Sequence, residues 1–278
     1  MYFEHLRIPV GAGSLHAERL GRGGPPVLLL HGFGTCTFLW RHLSPVLAQA
    51  GYTCIALDLL GQGESDRPNE SAVSLTAQAE YLARAIAALR LTDVTIVGQD
   101  VGAITALLLA AAPKGRVESV VMLSPPDPDD LPGPDIRAVQ RASARVALST
   151  NTLFAAKALL EPLLQGAVAS LTDMPERLVA RYLAPYVGTE GVTHLLQAAS
   201  AVELSSDART SLAAMDCPVL VVNGLADGPK PSLSWPTVLP SAPVTIERLP
   251  DVGRLIPEEA PEVLAPLLLR WLRRQRSD

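Results

Sequence analysis

The 278-residue chain is short of several things, and each shortage excludes something. Three cysteines, Cys36, Cys54 and Cys217, are too few and too scattered for a disulfide framework or a cysteine zinc site. Basic residues number 23 against 28 acidic ones, a formal charge of -5, so the basic face that nucleic acid needs is not expected. The apolar run at 106–112 is far short of the roughly 20 residues of a membrane span. The first seven residues have no apolar stretch of a secretion signal, so a cytoplasmic location is expected. Charged residues are only 18% while hydrophobic ones are 48%, which provides a large core and excludes disorder. The length suits one large domain with an insertion. A small-molecule substrate is expected, with no metal or organic cofactor, and a monomeric or homodimeric state.

Strand and helix signals alternate through the first half. Residues 6–10 and 14–20 flank Gly11-Ala12-Gly13 as an antiparallel hairpin. The run at 26–30 is continuously apolar, as in a strand buried on both faces of a parallel sheet. A helix is predicted over 38–50, a strand over 54–57, an amphipathic helix over 74–89, a strand over 94–97, a helix over 103–112 and a strand over 117–123. This βαβ rhythm predicts a mostly parallel, doubly wound α/β sheet. The proline-rich joint Pro125-Pro126-Asp127-Pro128 interrupts it, and only helix signals follow from 134 to 206. Strands return at 219–223 and 244–249, and a last helix is predicted over 261–274. The expected division is a core of 1–127 and 213–278 with a helical cap of 128–212.

The chemistry-bearing motif is Gly98-Gln99-Asp100-Val101-Gly102, between an apolar strand and an alanine-rich helix. This is the Gly-x-nucleophile-x-Gly elbow, with aspartate where serine is usual. Three further motifs keep it company: His31-Gly32-Phe33-Gly34 at a strand end, the turn Asp58-Leu59-Leu60-Gly61-Gln62-Gly63-Glu64-Ser65-Asp66-Arg67-Pro68, and Asn223-Gly224-Leu225-Ala226-Asp227.

Over nearly its whole length this arrangement resembles the α/β-hydrolase family, with the inserted block as its cap. The elbow aspartate resembles the epoxide-hydrolase and haloalkane-dehalogenase branch. That resemblance implies Asp100 as a covalent nucleophile, Asp227 as the orienting acid, and the Phe33 and Val101 amides as oxyanion donors. It also implies a histidine that activates water. At Val252-Gly253-Arg254-Leu255-Ile256-Pro257-Glu258 the pattern aligns except that Arg254 replaces that histidine. Arginine stays protonated near neutral pH and cannot serve as a base. Val101 also stands where haloalkane dehalogenases place a tryptophan.

Among other candidates, Tyr182 and Tyr186 are expected to reach substrate from the cap, and His194 to point down from it. Trp40 and Cys36 lie beside the oxyanion loop. Asp127 is an alternative acid at the end of the sixth core strand. Arg254 is expected to pair with Asp227 or Asp100, or to bind an anionic group. The missing histidine suggests a non-hydrolytic reaction, an elimination, cyclisation or isomerisation of the kind found in bacterial secondary metabolism, with Asp100 as base or electrostatic catalyst. The alternatives are an epoxide-hydrolase-like enzyme with a displaced water-activating base, and a non-catalytic binding protein.

Overall fold

The alternating apolar runs form one eight-stranded sheet in the computed structural model, which describes residues 2–68, 72–112, 117–147, 152–226 and 234–276. The strands are β1 (Glu4–Pro9), β2 (Ser14–Leu20), β3 (Pro26–Leu30), β4 (Thr53–Leu57), β5 (Val94–Gln99), β6 (Val117–Leu123), β7 (Val219–Gly224) and β8 (Val244–Leu249), in spatial order β1-β2-β4-β3-β5-β6-β7-β8. The pairs β1–β2 and β2–β4 are antiparallel and the others parallel. Every residue of β4, β5 and β7 is buried, which explains why their sequences are apolar without alternation. The edge strand β8 alternates half-buried with exposed positions instead.

Helices α1 (Leu43–Gln49), α2 (Leu75–Ala88) and α3 (Val101–Ala110) connect the strands. Ser74 starts α2 by accepting a hydrogen bond from the Ala77 amide at 3.3 Å. The single helix predicted over 38–50 is instead a 3-10 turn, Thr37–Trp40, followed by α1. Pro45 is the cause: it has no amide hydrogen for the Arg41 carbonyl and its ring crowds that carbonyl, so an α-helix cannot run through. Between β6 and β7 lie α4 (Pro134–Ala147), α5 (Thr152–Gln165), α6 (Glu176–Leu183), α7 (Thr189–Ser200) and α8 (Ser206–Ala213); no strand interrupts them among the described residues. Short α9 (Trp235–Val238) and α10 (Ile256–Glu259) precede α11 (Pro261–Arg274). No helix among the described residues is long and apolar enough to cross a membrane.

The topology fixes where a site can form. From β3 the chain moves outward to β4 and then back across to β5 on the other side. The connections therefore diverge beyond the carboxyl ends of β3 and β5, leaving a crevice there. Gly32 and Phe33 follow β3, and Asp100 follows β5.

Candidate active site

Asp100 joins β5 to α3 at φ 54° and ψ −124°, a backbone conformation that a residue with a Cβ rarely adopts. The strain is held by hydrogen bonds on both sides: the Asp100 amide donates to Leu123 O and its carbonyl accepts from Ala103 N, each at 3.0 Å. The turn also needs its small neighbours. A Cβ on Gly102 would lie 2.4 Å from the His31 carbonyl oxygen, and one on Gly32 would lie 2.8 Å from Asp100 Cβ. Gly102→Ala is therefore expected to destabilise the fold by about 2 kcal/mol through overpacking against rigid backbone, measurable by urea unfolding.

Asp100 is half-buried in the cavity wall. The Phe33 amide donates to Oδ2 at 3.1 Å, and the Val101 amide also stabilises the charged form. Desolvation is the largest influence and pushes the Asp100 carboxyl above its ordinary value. The two amides and the positive charge of Arg254 oppose it, and the charge of Asp135 adds to it. No side-chain donor among the described residues reaches Oδ1.

Asp100 opens on a cavity of about 140 Å³. Pro125, Pro132, Ile136, Leu163 and Leu255 give it apolar walls, and Asp127, Asp130, Asp135 and Arg254 give it charge. Arg254 is the sole cation among the described residues of this lining. Its guanidinium pairs with Asp135 Oδ2 at 2.5 Å and donates to the Gly166 carbonyl at 2.9 Å. Asp135 occupies the first turn of α4, behind Pro134, a favourable place for an acid. Asp130 pairs with Arg137. Asp127 forms no ion pair among the described residues; Oδ1 accepts from the Asp129 amide at 2.9 Å and Oδ2 lies 3.4 Å from the Ser234 hydroxyl. Two buried polar atoms of the lining have no partner among the described residues, the acceptor Gln99 Oε1 and the donor Asn223 Nδ2. Such atoms are suited to holding a water or a polar group of a ligand.

The structure brings together Asp100, Phe33, Arg254 and Asp127, with Val101 at the start of α3. Asp227 lies outside the described residues. Arg254 faces Asp135, a partner the sequence did not suggest; the only signal for it is the Pro134-Asp135 helix start. The remaining candidates are away from this cavity. The Tyr182 hydroxyl donates to Glu258, and the Tyr186 hydroxyl donates to the Thr35 carbonyl at 2.9 Å. Burial raises both phenols well above their ordinary values, so they anchor α6 and the turn after it rather than deliver protons. The His194 ring nitrogens lie 2.9 Å from the Glu190 carbonyl and 3.4 Å from that of Pro68. Trp40 is buried in the core, and so is Cys36, whose thiol burial pushes up to about 12, where it is inert as a nucleophile. His31 is also a structural group: Nε2 accepts from the Leu59 amide at 3.1 Å, and burial keeps the ring neutral.

An elbow after the fifth strand, an amide loop after the third and a helical insertion after the sixth define an α/β-hydrolase architecture. Residues 25–228 match the alpha/beta hydrolase fold family, and the chain belongs to it. Among its relatives, Epoxide hydrolase 3 of Siraitia grosvenorii is 38% identical over 44% of this chain and 38% of its own length. A haloalkane dehalogenase of Mycobacterium marinum is 39% identical over 32% of this chain and 30% of its own. The chain thus matches well under half the length of these relatives. Among solved structures, Cfl2 from Burkholderia cenocepacia superposes with a TM-score of 0.79 at 26% identity, covering 97% of this chain and 95% of that one. Haloalkane dehalogenase DbeA from Bradyrhizobium elkani gives 0.81 at 24% identity, covering 99% of each chain, and shows the shared fold.

Proposed function

We propose that the chain is an epoxide-hydrolase-like enzyme in which Asp100 is a covalent nucleophile towards a small, largely apolar epoxide. The observation that carries this is the Phe33 amide on Asp100 Oδ2. Hydrogen bonds to a carboxylate weaken it as a base. They become useful when Cγ turns tetrahedral, because the developing oxyanion is then Oδ2 itself. That happens when water attacks an ester formed on Asp100, and not when Asp100 only removes a proton. The same contact counts against Phe33 donating to an oxygen of the substrate, since its amide is already engaged. The names of the relatives support hydrolysis as well, and none supports elimination, cyclisation or isomerisation.

In the first step Oδ1 forms a bond to a ring carbon as that carbon's bond to the ring oxygen breaks. Arg254 faces the resulting alkoxide charge, and the alkoxide takes a proton from water in the cavity. In the second step a water attacks Cγ and gives its proton to Asp127, the cavity carboxylate with no ion pair among the described residues. The tetrahedral oxyanion on Oδ2 rests on the Phe33 amide and collapses, expelling Oδ1 with the product. That oxygen takes the proton from Asp127. Asp100 is left as a carboxylic acid, whose proton goes to the hydroxide left by the first step; the product is a diol and the carboxylate is restored.

Intact-mass measurement during turnover of a model epoxide tests the first step. A transient adduct equal to the mass of the epoxide is expected, localised to the peptide containing Asp100 and missing in Asp100→Asn. Turnover with no adduct under rapid acid quench, or an adduct on another residue, refutes the assignment.

The nucleophile must be ionised, so kcat/KM falls on the acid side around a pKa above the ordinary carboxylate range. Arg254 holds that pKa down. Arg254→Ala is therefore expected to move the acid limb to still higher pH. A limb that moves to lower pH contradicts the assigned electrostatics.

A further inference from the structure

The reaction makes no use of a group of side chains on the β1–β2 hairpin. The register sets His5 opposite Glu18 and Arg7 opposite His16, so all four project from one face of the sheet. On that face His5 Nδ1 lies 3.2 Å from His16 Nε2 and 4.0 Å from Glu18 Oε1. One potential ligand atom from each of His5, His16 and Glu18 lies within 4.8 Å of those of the other two. Arg7 turns its guanidinium aside to Asp66.

His16 is prepared in a particular way. Its Nδ1 lies 2.8 Å from Oδ2 of Asp58, a carboxylate with no exposed surface. Asp58 is fixed in turn by the Thr37 amide on Oδ1 at 2.6 Å and the Glu64 amide on Oδ2 at 2.9 Å. A carboxylate so held keeps the proton of neutral His16 on Nδ1 and directs the Nε2 lone pair towards His5. This carboxylate–histidine arrangement orients imidazole ligands in metal sites. His5 Nδ1 and His16 Nε2 face each other across a hydrogen bond, with ring centroids 5.5 Å apart, so the exposed His5 ring turns aside to admit an ion while the nitrogens keep nearly the same spacing. Two imidazoles on a tetrahedral ion with bonds of about 2.0–2.1 Å stand about 3.3 Å apart. The Glu18 carboxylate, with Oε1 4.0 Å from His5 Nδ1, supplies a third ligand.

We propose that His5, His16 and Glu18 form a surface site for zinc or another divalent ion of similar preference, with Asp58 as the positioning residue behind His16. Two neutral nitrogens and one carboxylate suit this class over calcium or magnesium, which prefer oxygen. The ion would clasp β1 to β2 at the free edge of the sheet, away from the Asp100 cavity.

Chelator-stripped protein titrated with Zn²⁺ against a chromophoric competitor tests this, with melting temperature and Co²⁺ visible absorption as parallel readouts. One ion per chain is expected at micromolar affinity or tighter, with a raised melting temperature and a tetrahedral Co²⁺ spectrum. His5→Ala and Glu18→Gln should each weaken binding at least tenfold. Both variants are expected to fold, since the His5 side chain is 66% exposed and the Glu18 change keeps its shape. No stoichiometric binding at millimolar Zn²⁺ overturns the proposal. So does binding of unchanged affinity in the double variant, because the ion would then lie elsewhere.

Discussion

Asp100→Asn is expected to lower turnover of a model epoxide by roughly 10³-fold or more while raising the melting temperature at neutral pH. The two effects share one cause. A desolvated carboxylate with only amide partners is reactive because its charge is poorly solvated, and for the same reason it opposes folding. Its folded pKa is raised, so the stability linked to its proton is present below the unfolded pKa and is lost as pH rises through the folded one. The variant should therefore gain stability over wild type at pH 7 and lose that advantage below about pH 4. Asparagine can keep its carbonyl oxygen on the Phe33 amide, so the elbow geometry survives. Thermal melts at the two pH values, read with the activity, check this. Retained activity, or a variant less stable at pH 7, contradicts the role given to Asp100.

Asp127→Asn is expected to leave the first step intact and slow the second by roughly 10²–10⁴-fold, the usual contribution of a general base. The adduct on Asp100 should then accumulate to nearly one per chain, with a rapid burst and a slow steady state. Asp135→Asn is the control. Asp135 is already committed to Arg254, so it should change the pH dependence more than the rate of ester breakdown. A burst that disappears in Asp127→Asn places that residue in the first step. A burst followed by an undiminished steady state means that another group activates the water.

Much of the sheet was legible because a fully buried strand allows little but apolar residues. β6, β8 and α11 have the bounds their periodicity predicted. The elbow was legible because its glycines answer to backbone clearance, which is local. Where the chain meets itself over long distances, sequence said less. One partner of Arg254, Asp135, lies 119 residues away on the insertion, and no spacing rule reaches that far. Tyr182 and Tyr186 have the polarity of substrate contacts, yet their hydroxyls are satisfied by Glu258 and by the Thr35 carbonyl. A hydroxyl in the sequence does not disclose whether another part of the fold already uses it. The break at Pro45 belongs to the opposite kind, a local rule that the apolar spacing of 38–50 overrode. The proposed hydrolysis rests on the relatives' names and on the amide on Oδ2, a contact that depends on the loop after β3 closing over the loop after β5.

The central claim is that an ester forms on Asp100 and is broken by attack at its own carboxyl carbon. Enzyme in excess over a model epoxide in heavy-oxygen water, taken through one turnover, tests it most directly. The account predicts an unlabelled diol and one heavy oxygen in the peptide bearing Asp100. A heavy oxygen in the diol after that single turnover, with none on Asp100, would show water attacking the substrate directly and would contradict it.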